Sequence, residues 1–163
     1  MSGSVEERQH AVNTPEARTP AGDAFSALVV EVLRCADLLR AAGDELARPE
    51  GLTSAQWRVL AVLEHGSSTV AQIARALGLA RQSVQRVADT VVAAGLAAYV
   101  DNPADRRAQL AELTDDGRRA LEAIQTRQVA WANDVAASAE STRFREAAAF
   151  LHEVARSLTT PAS

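Results

Sequence analysis

The chain has 163 residues, a formal net charge of −4, and a composition that is 47% hydrophobic but only 4% aromatic. That length fits one domain with a modest core, and an alanine-rich apolar fraction with only two extended stretches makes helices its main material. No apolar run approaches the roughly 20 residues of a membrane helix, the N-terminus carries no apolar signal-peptide core, and the lone Cys35 excludes an internal disulfide, so a reducing cytoplasm is the expected compartment.

Residues 1–22 are polar, with Pro15 and Pro20, and read as a flexible arm. A helix is expected over 23–48, capped by Asp23, with Ala24, Leu28, Val29, Val32, Leu33, Leu38 and Leu39 on a broad apolar stripe. The next helix opens at Thr53 with Gln56 three residues on, a capping box in which each side chain satisfies an orphan amide of the first turn. Trp57, Leu60, Ala61 and Leu63 face inward, and Gly66 closes it. Thr69 and Gln72 repeat the box, and Val70, Ile73, Ala74 and Leu77 share a face up to Gly78, a residue free to enter the left-handed conformation that ends helices.

The helix that follows turns Val84, Val87, Ala88, Val91 and Val92 inward, ends at Gly95, and exposes Arg81, Gln82, Ser83, Gln85 and Arg86 in its first turns. Strands are expected over 96–100 and 109–113, joined by a turn-forming run that carries Asp105, Arg106 and Arg107 at its tip. Thr114 caps a long helix reaching towards Ala139, with Asp115 and Asp116 where the dipole favours them and Leu121, Ile124, Val129, Ala132 and Val135 on its stripe. A last helix starts at Ser141 or Thr142 and turns Phe144, Ala147, Leu151, Val154 and Leu158 inward.

The expected fold is mainly α, about six helices plus a two-stranded hairpin, an α+β winged helix. A short helix, a glycine turn and a second helix with a polar, arginine-bearing start suit insertion into a DNA major groove, and Gln and Arg have bidentate geometry for adenine and guanine edges. Two arginines at a hairpin tip suit a narrow, electronegative minor groove. Thr69 and Arg75 are candidate phosphate contacts. The acidic total hides a local excess: residues 75–107 hold 5 Arg against 3 acids. All 17 basic residues are arginine.

The apolar stripes of 23–48 and 115–160 have no sheet to cover, so these helices are expected to bury them in a homodimer. His10, His65 and His152 show no ligand spacing, and no catalytic set assembles, so neither metal, cofactor nor enzymatic activity is expected. A winged helix used for protein contact without operator reading is the alternative from another class.

The pattern Leu52-Thr53-x-x-Gln56-Trp57-x-Val59-Leu60, then Ile73-Ala74-x-x-Leu77-Gly78-Leu79-x-Arg81-Gln82-Ser83-Val84, Gly95-Leu96, Asp101-x-Pro103-x-Asp105-Arg106-Arg107-Ala108 and Leu110-x-x-Leu113-Thr114-x-x-Gly117 resembles the MarR family of bacterial transcriptional regulators. The resemblance implies a repressor on a pseudo-palindromic double-stranded operator, with the first, fifth and sixth helices interlocked around a two-fold axis. It implies Arg107 as the minor-groove residue and Asp105 as its structural partner. It also implies a small aromatic or amphipathic effector, for which Trp57 is the pocket candidate. Position 80 carries a capping Ser or Thr in that family and Ala80 here, which removes a cap worth roughly 1 kcal/mol. Some members sense oxidants through a first-helix cysteine. Cys35 has mainly apolar helical neighbours and no nearby tyrosine, and is expected as a small core residue, with thiol sensing as the alternative.

Overall fold

The structure, a computed structural model, describes residues 18–159. It contains α1 (Pro20–Ala47), a 3₁₀ turn (Arg48–Glu50), α2 (Ser54–Leu63), β1 (Ser68–Thr69), α3 (Val70–Leu77), α4 (Arg81–Ala93), β2 (Ala97–Val100), β3 (Leu110–Leu113), α5 (Asp115–Ala136) and α6 (Ser141–Thr159). The described residues divide into two compact units, 18–39 and 40–159. Among the described residues no helix is long and apolar enough to cross a membrane.

In the first unit, α1 begins at Pro20 and not at the expected Asp23. Proline fits the first helical position because its missing N–H would be an orphan there, and Thr19 Oγ1 accepts from the Gly22 amide at 3.1 Å. Most of the arm expected over 1–22 lies outside the described residues, but 20–22 are helical. The apolar stripe is present, yet Phe25, Val29, Val30, Val32, Leu33, Leu38 and Leu39 are exposed within the chain. Cys35 is also exposed, which corrects its expected place in a core.

The second unit is built around one apolar centre. Leu60, Ile73, Leu121, Ile124, Val59, Val84 and Val91 are its largest fully buried side chains. In α2 the buried residues are Ser54, Val59, Leu60 and Leu63, while Trp57 and Ala61 pack at the margin. Both capping boxes form as their spacing predicts, at Thr53 with Gln56 and at Thr69 with Gln72.

The sheet has three strands in the order β1-β3-β2, one more than the hairpin alone. Ser68 and Thr69 pair antiparallel with Ala111 and Leu110, while Ala97 and Val100 pair with Leu113 and Leu110. A two-residue strand carries no alternation to read in sequence; it forms because the cap of α3 brings its backbone beside β3.

Thr114 fixes the end of the sheet to α5. Its Oγ1 donates to the Gly95 carbonyl at 2.7 Å and accepts from the Gly117 amide at 3.1 Å. Farther along α5, Arg127 donates to the Leu46 carbonyl at 3.0 Å and to Glu50 at 2.9 Å, which ties the helix to the end of α1 and the 3₁₀ turn. Beyond it Val129 and Val135 are exposed, and α6 has no buried residue. Phe144, Leu151 and Leu158, expected inward, are exposed because nothing among the described residues covers them.

Gly117 sits where α5 crosses the Gly95–Leu96 segment that leads into β2: a Cβ there would lie 1.9 Å from the Leu96 carbonyl oxygen, a backbone atom that cannot swing aside. Gly117→Ala is expected to cost about 3 kcal/mol of stability, read as a lowered urea midpoint; an unchanged midpoint would show that this crossing does not constrain the fold.

Candidate nucleic-acid interface

The site is assembled by three local devices. The Thr69 cap starts α3, Gly78 at φ 65° ends it, and the Leu79 amide donates back to the Ala74 carbonyl at 3.0 Å, closing a left-handed C-terminal turn. Two residues later α4 begins from extended Ala80, which makes no side-chain capping bond. Val84, Ala88 and Val91 then hold α4 to the core and fix which of its faces points outward.

That outward face carries exposed Arg81, Gln82 and Arg86, with Ser83 and Gln85 half-buried. Arg75 on α3 is exposed too. Thr69, the other candidate phosphate contact, has its hydroxyl engaged: it donates to Gln72 Oε1 at 2.9 Å and accepts from the Gln72 amide at 3.2 Å.

The hairpin tip is shaped by its own side chains. Asn102 Oδ1 accepts from the Ala104 amide and Asp105 Oδ1 from the Arg107 amide, each at 3.0 Å, so two successive Asx turns set the course of the loop. Arg106 and Arg107 are exposed at the end. Among the described residues, Arg75, Arg81, Arg86, Arg106 and Arg107 form no ion pair, whereas Arg34, Arg48, Arg118, Arg119 and Arg127 each meet a carboxylate. Arg18, Arg58, Arg143 and Arg145 form none either, so five of the nine described guanidiniums without an ion pair stand on the helix–turn–helix and the wing. Between α4 and the wing lies a cleft of about 420 Å³, lined by Thr69, Arg81, Gln85, Tyr99, Asp105 and Arg107 among others.

Gln85 is not the free amide that its position on α4 suggests. Its Nε2 donates to Asp89 Oδ1 at 2.9 Å and to the Tyr99 hydroxyl at 3.0 Å, and Tyr99 donates to the same Asp89 oxygen at 2.8 Å. Neither Asp89 nor Tyr99 stands out in the sequence. The Gln85/Asp89 spacing of four was a readable helix pair, but the arrival of Tyr99 depends on how β2 lies against α4. Burial, reinforced by Asp89, pushes the Tyr99 hydroxyl up to about 12.

Trp57 is half-buried on the core and stands beside Gly43 of α1, where a Cβ would lie 3.9 Å from its ring. Among the described residues no group of three or more His, Cys, Asp or Glu could hold a metal ion.

A helix–turn–helix braced by an arginine-tipped wing defines a DNA-binding winged-helix protein. Residues 50–108 match the MarR family. An uncharacterized protein of Mycobacterium tuberculosis is 44% identical over 114 residues, which cover 70% of this chain and 80% of that protein. The transcriptional activatory protein BadR of Rhodopseudomonas palustris is 31% identical over 101 residues, 60% of this chain and 58% of that protein. The transcriptional regulator MosR of M. tuberculosis, solved in complex with DNA, superposes with a TM-score of 0.69 at 29% identity, covering 81% of this chain and 98% of that one. The chain belongs to the MarR family of transcription regulators, whose members bind DNA and are not enzymes.

Two measurements test the local structure. Ala80→Ser supplies the absent cap and is expected to raise stability by about 1 kcal/mol in thermal or urea unfolding; no gain would show that the first turn of α4 is already satisfied. Tyr99 is the chain's one tyrosine, so ultraviolet titration reads it directly. The expected midpoint is about 12 and not 10.0, and Asp89→Asn should lower it. Because the folded value is raised, this contribution to stability is complete below pH 10 and disappears as pH rises towards 12. A midpoint at 10.0 in the folded protein would refute the contact.

Proposed function

We propose that the protein is a homodimeric, sequence-specific regulator that reads a pseudo-palindromic operator. The observation that carries this reading is the placement of five exposed guanidiniums without an ion pair on the helix–turn–helix and wing, with Arg81 and Arg107 lining one cleft. Arg81, Gln82, Ser83 and Arg86 meet bases or phosphates from the start of α4, and Gln85 meets them through what its bonds leave free. Arg106 and Arg107 enter the adjoining minor groove, and Asp105 shapes their loop. Arg75, with the backbone around Thr69, touches phosphates.

Residues 52–114 form the DNA-binding region, and 23–48 with 115–160 form the dimerisation region. Homodimerisation is supported by the exposed apolar faces: Phe25, Val30 and Leu33 on α1, Val129 on α5, and Phe144, Phe150 and Leu158 on α6. Such faces are stable in water only when a partner covers them. A small aromatic or amphipathic effector would sit beside Trp57, near the end of α1, and would act by binding two spacings of the reading helices differently. Operator position sets the sign of regulation: occlusion of a promoter represses, and binding upstream of one can activate. The protein acts in the cytoplasm, where the DNA is.

Selection of random duplexes by the full chain is expected to enrich a palindrome with half-sites about 10 base pairs apart, and sedimentation should give about twice the chain mass. Arg107→Ala should weaken operator binding and lower the slope of log affinity against log salt by about 1. Salt-sensitive but sequence-blind binding would overturn operator reading, and a persistent monomer would overturn the dimer.

A further inference from the structure

Arg127 stands where α5 leaves the core. Gly117, Ala120, Leu121 and Ile124 are the buried residues of that helix, and none follows Ile124. Three residues on, and so on the same face, Arg127 makes the two bonds that hold α5 to the end of α1 and to the 3₁₀ turn. Its Nε donates to the Leu46 carbonyl at 3.0 Å and its Nη2 to Glu50 Oε1 at 2.9 Å. Only 33% of the Arg127 side chain and 28% of the Glu50 side chain are exposed. A planar guanidinium that donates in two directions at once fixes an angle as well as a distance, and the last turn of α1 favours a cation there. The end of α1 is in turn locked to α2. Asp44 Oδ1 accepts from the Ser54 amide at 2.6 Å, and a Cβ on Gly43 would lie 2.9 Å from Ser54 Cβ. Past this clasp the apolar Val129 and Val135 are exposed.

The clasp therefore aims the outer half of α5. In the homodimer that half carries part of the two-fold contact, so its direction sets how far apart, and at what angle, the two copies of α4 stand. Half-site spacing probes this geometry. One added base pair moves the second half-site by about 3.4 Å along the duplex and by about 35° around it.

We propose that Arg127 is a positioning residue whose clasp on Glu50 and the Leu46 carbonyl restricts the dimer to one half-site spacing. This rests on the homodimeric, operator-reading function.

The test uses the full chain and duplexes that carry the two selected half-sites with the spacer shortened or lengthened by one base pair. Wild type is expected to prefer one spacing about tenfold over its neighbours. Arg127→Lys keeps the charge and the apolar stem but not the fork. It should cut that preference about fivefold, to about twofold, and Arg127→Gln should do the same. Affinity of either variant for a duplex with a single half-site should match wild type. A clasp that only stabilises the fold would, when lost, lower the melting temperature and weaken every duplex alike, with the spacing ratio unchanged. A wild type indifferent to spacing, variants that keep its ratio, or a fall on a single half-site as large as that on the full operator would each overturn the proposal while leaving operator reading and the dimer intact. If Arg127→Gln does not fold, Arg127→Lys decides alone. A monomer in sedimentation removes the dimer, and a selection without a motif removes operator reading; either takes this inference with it.

Discussion

In the proposed function α4 reads DNA, and such a helix must be held from behind; here three small apolar side chains hold it. Val84, Ala88 and Val91 are 1%, 1% and 0% exposed. Their spacing of four and three keeps one face of the helix against the core, and that alone determines which residues point away. The choice of Val and Ala over larger side chains lets α4 lie close to α2 and α3. Leu60 and Ile73, both fully buried, fill what remains. The polar half of α4 thus needs no device of its own to be outward.

The wing is fixed from both of its ends. At the base, Thr114 and the Gly117–Leu96 approach pin the strands to α5. On its flank, Tyr99 reaches the middle of α4 through Asp89 and Gln85. The tip between them is shaped by local turns, two Asx contacts and the Ala108 amide donating to the Asp105 carbonyl at 3.2 Å. Strands anchored in this way leave Arg106 and Arg107 exposed at the tip, where the proposed function would have their long side chains follow a groove.

What the sequence shows and what it hides divide by the range of the interaction. Thr53, Thr69 and Thr114 announce their helices because a cap is satisfied within three residues, and Gly78 and Gly95 announce the ends because a positive φ is a local demand. Most of the reading elements were legible for that reason. The strand at Ser68–Thr69, the half-buried margin at Trp57 and the engagement of Gln85 were not, since each depends on a segment distant in sequence arriving at one place. The stripes of α1 and α6 are plain in the sequence, but a stripe states only that a face is apolar and not what covers it. For the same reason the apolar helical neighbours of Cys35 suggest an interior thiol, whereas it is exposed.

Every cation on the surface proposed to meet DNA is a guanidinium, and five of them form no ion pair. A guanidinium keeps its charge at any acidity a protein tolerates. The pull that these groups exert on a polyanion is therefore deaf to proton concentration and answers to ionic strength alone. In a cell whose interior acidifies, the grip itself would hold steady, and release would have to come through shape.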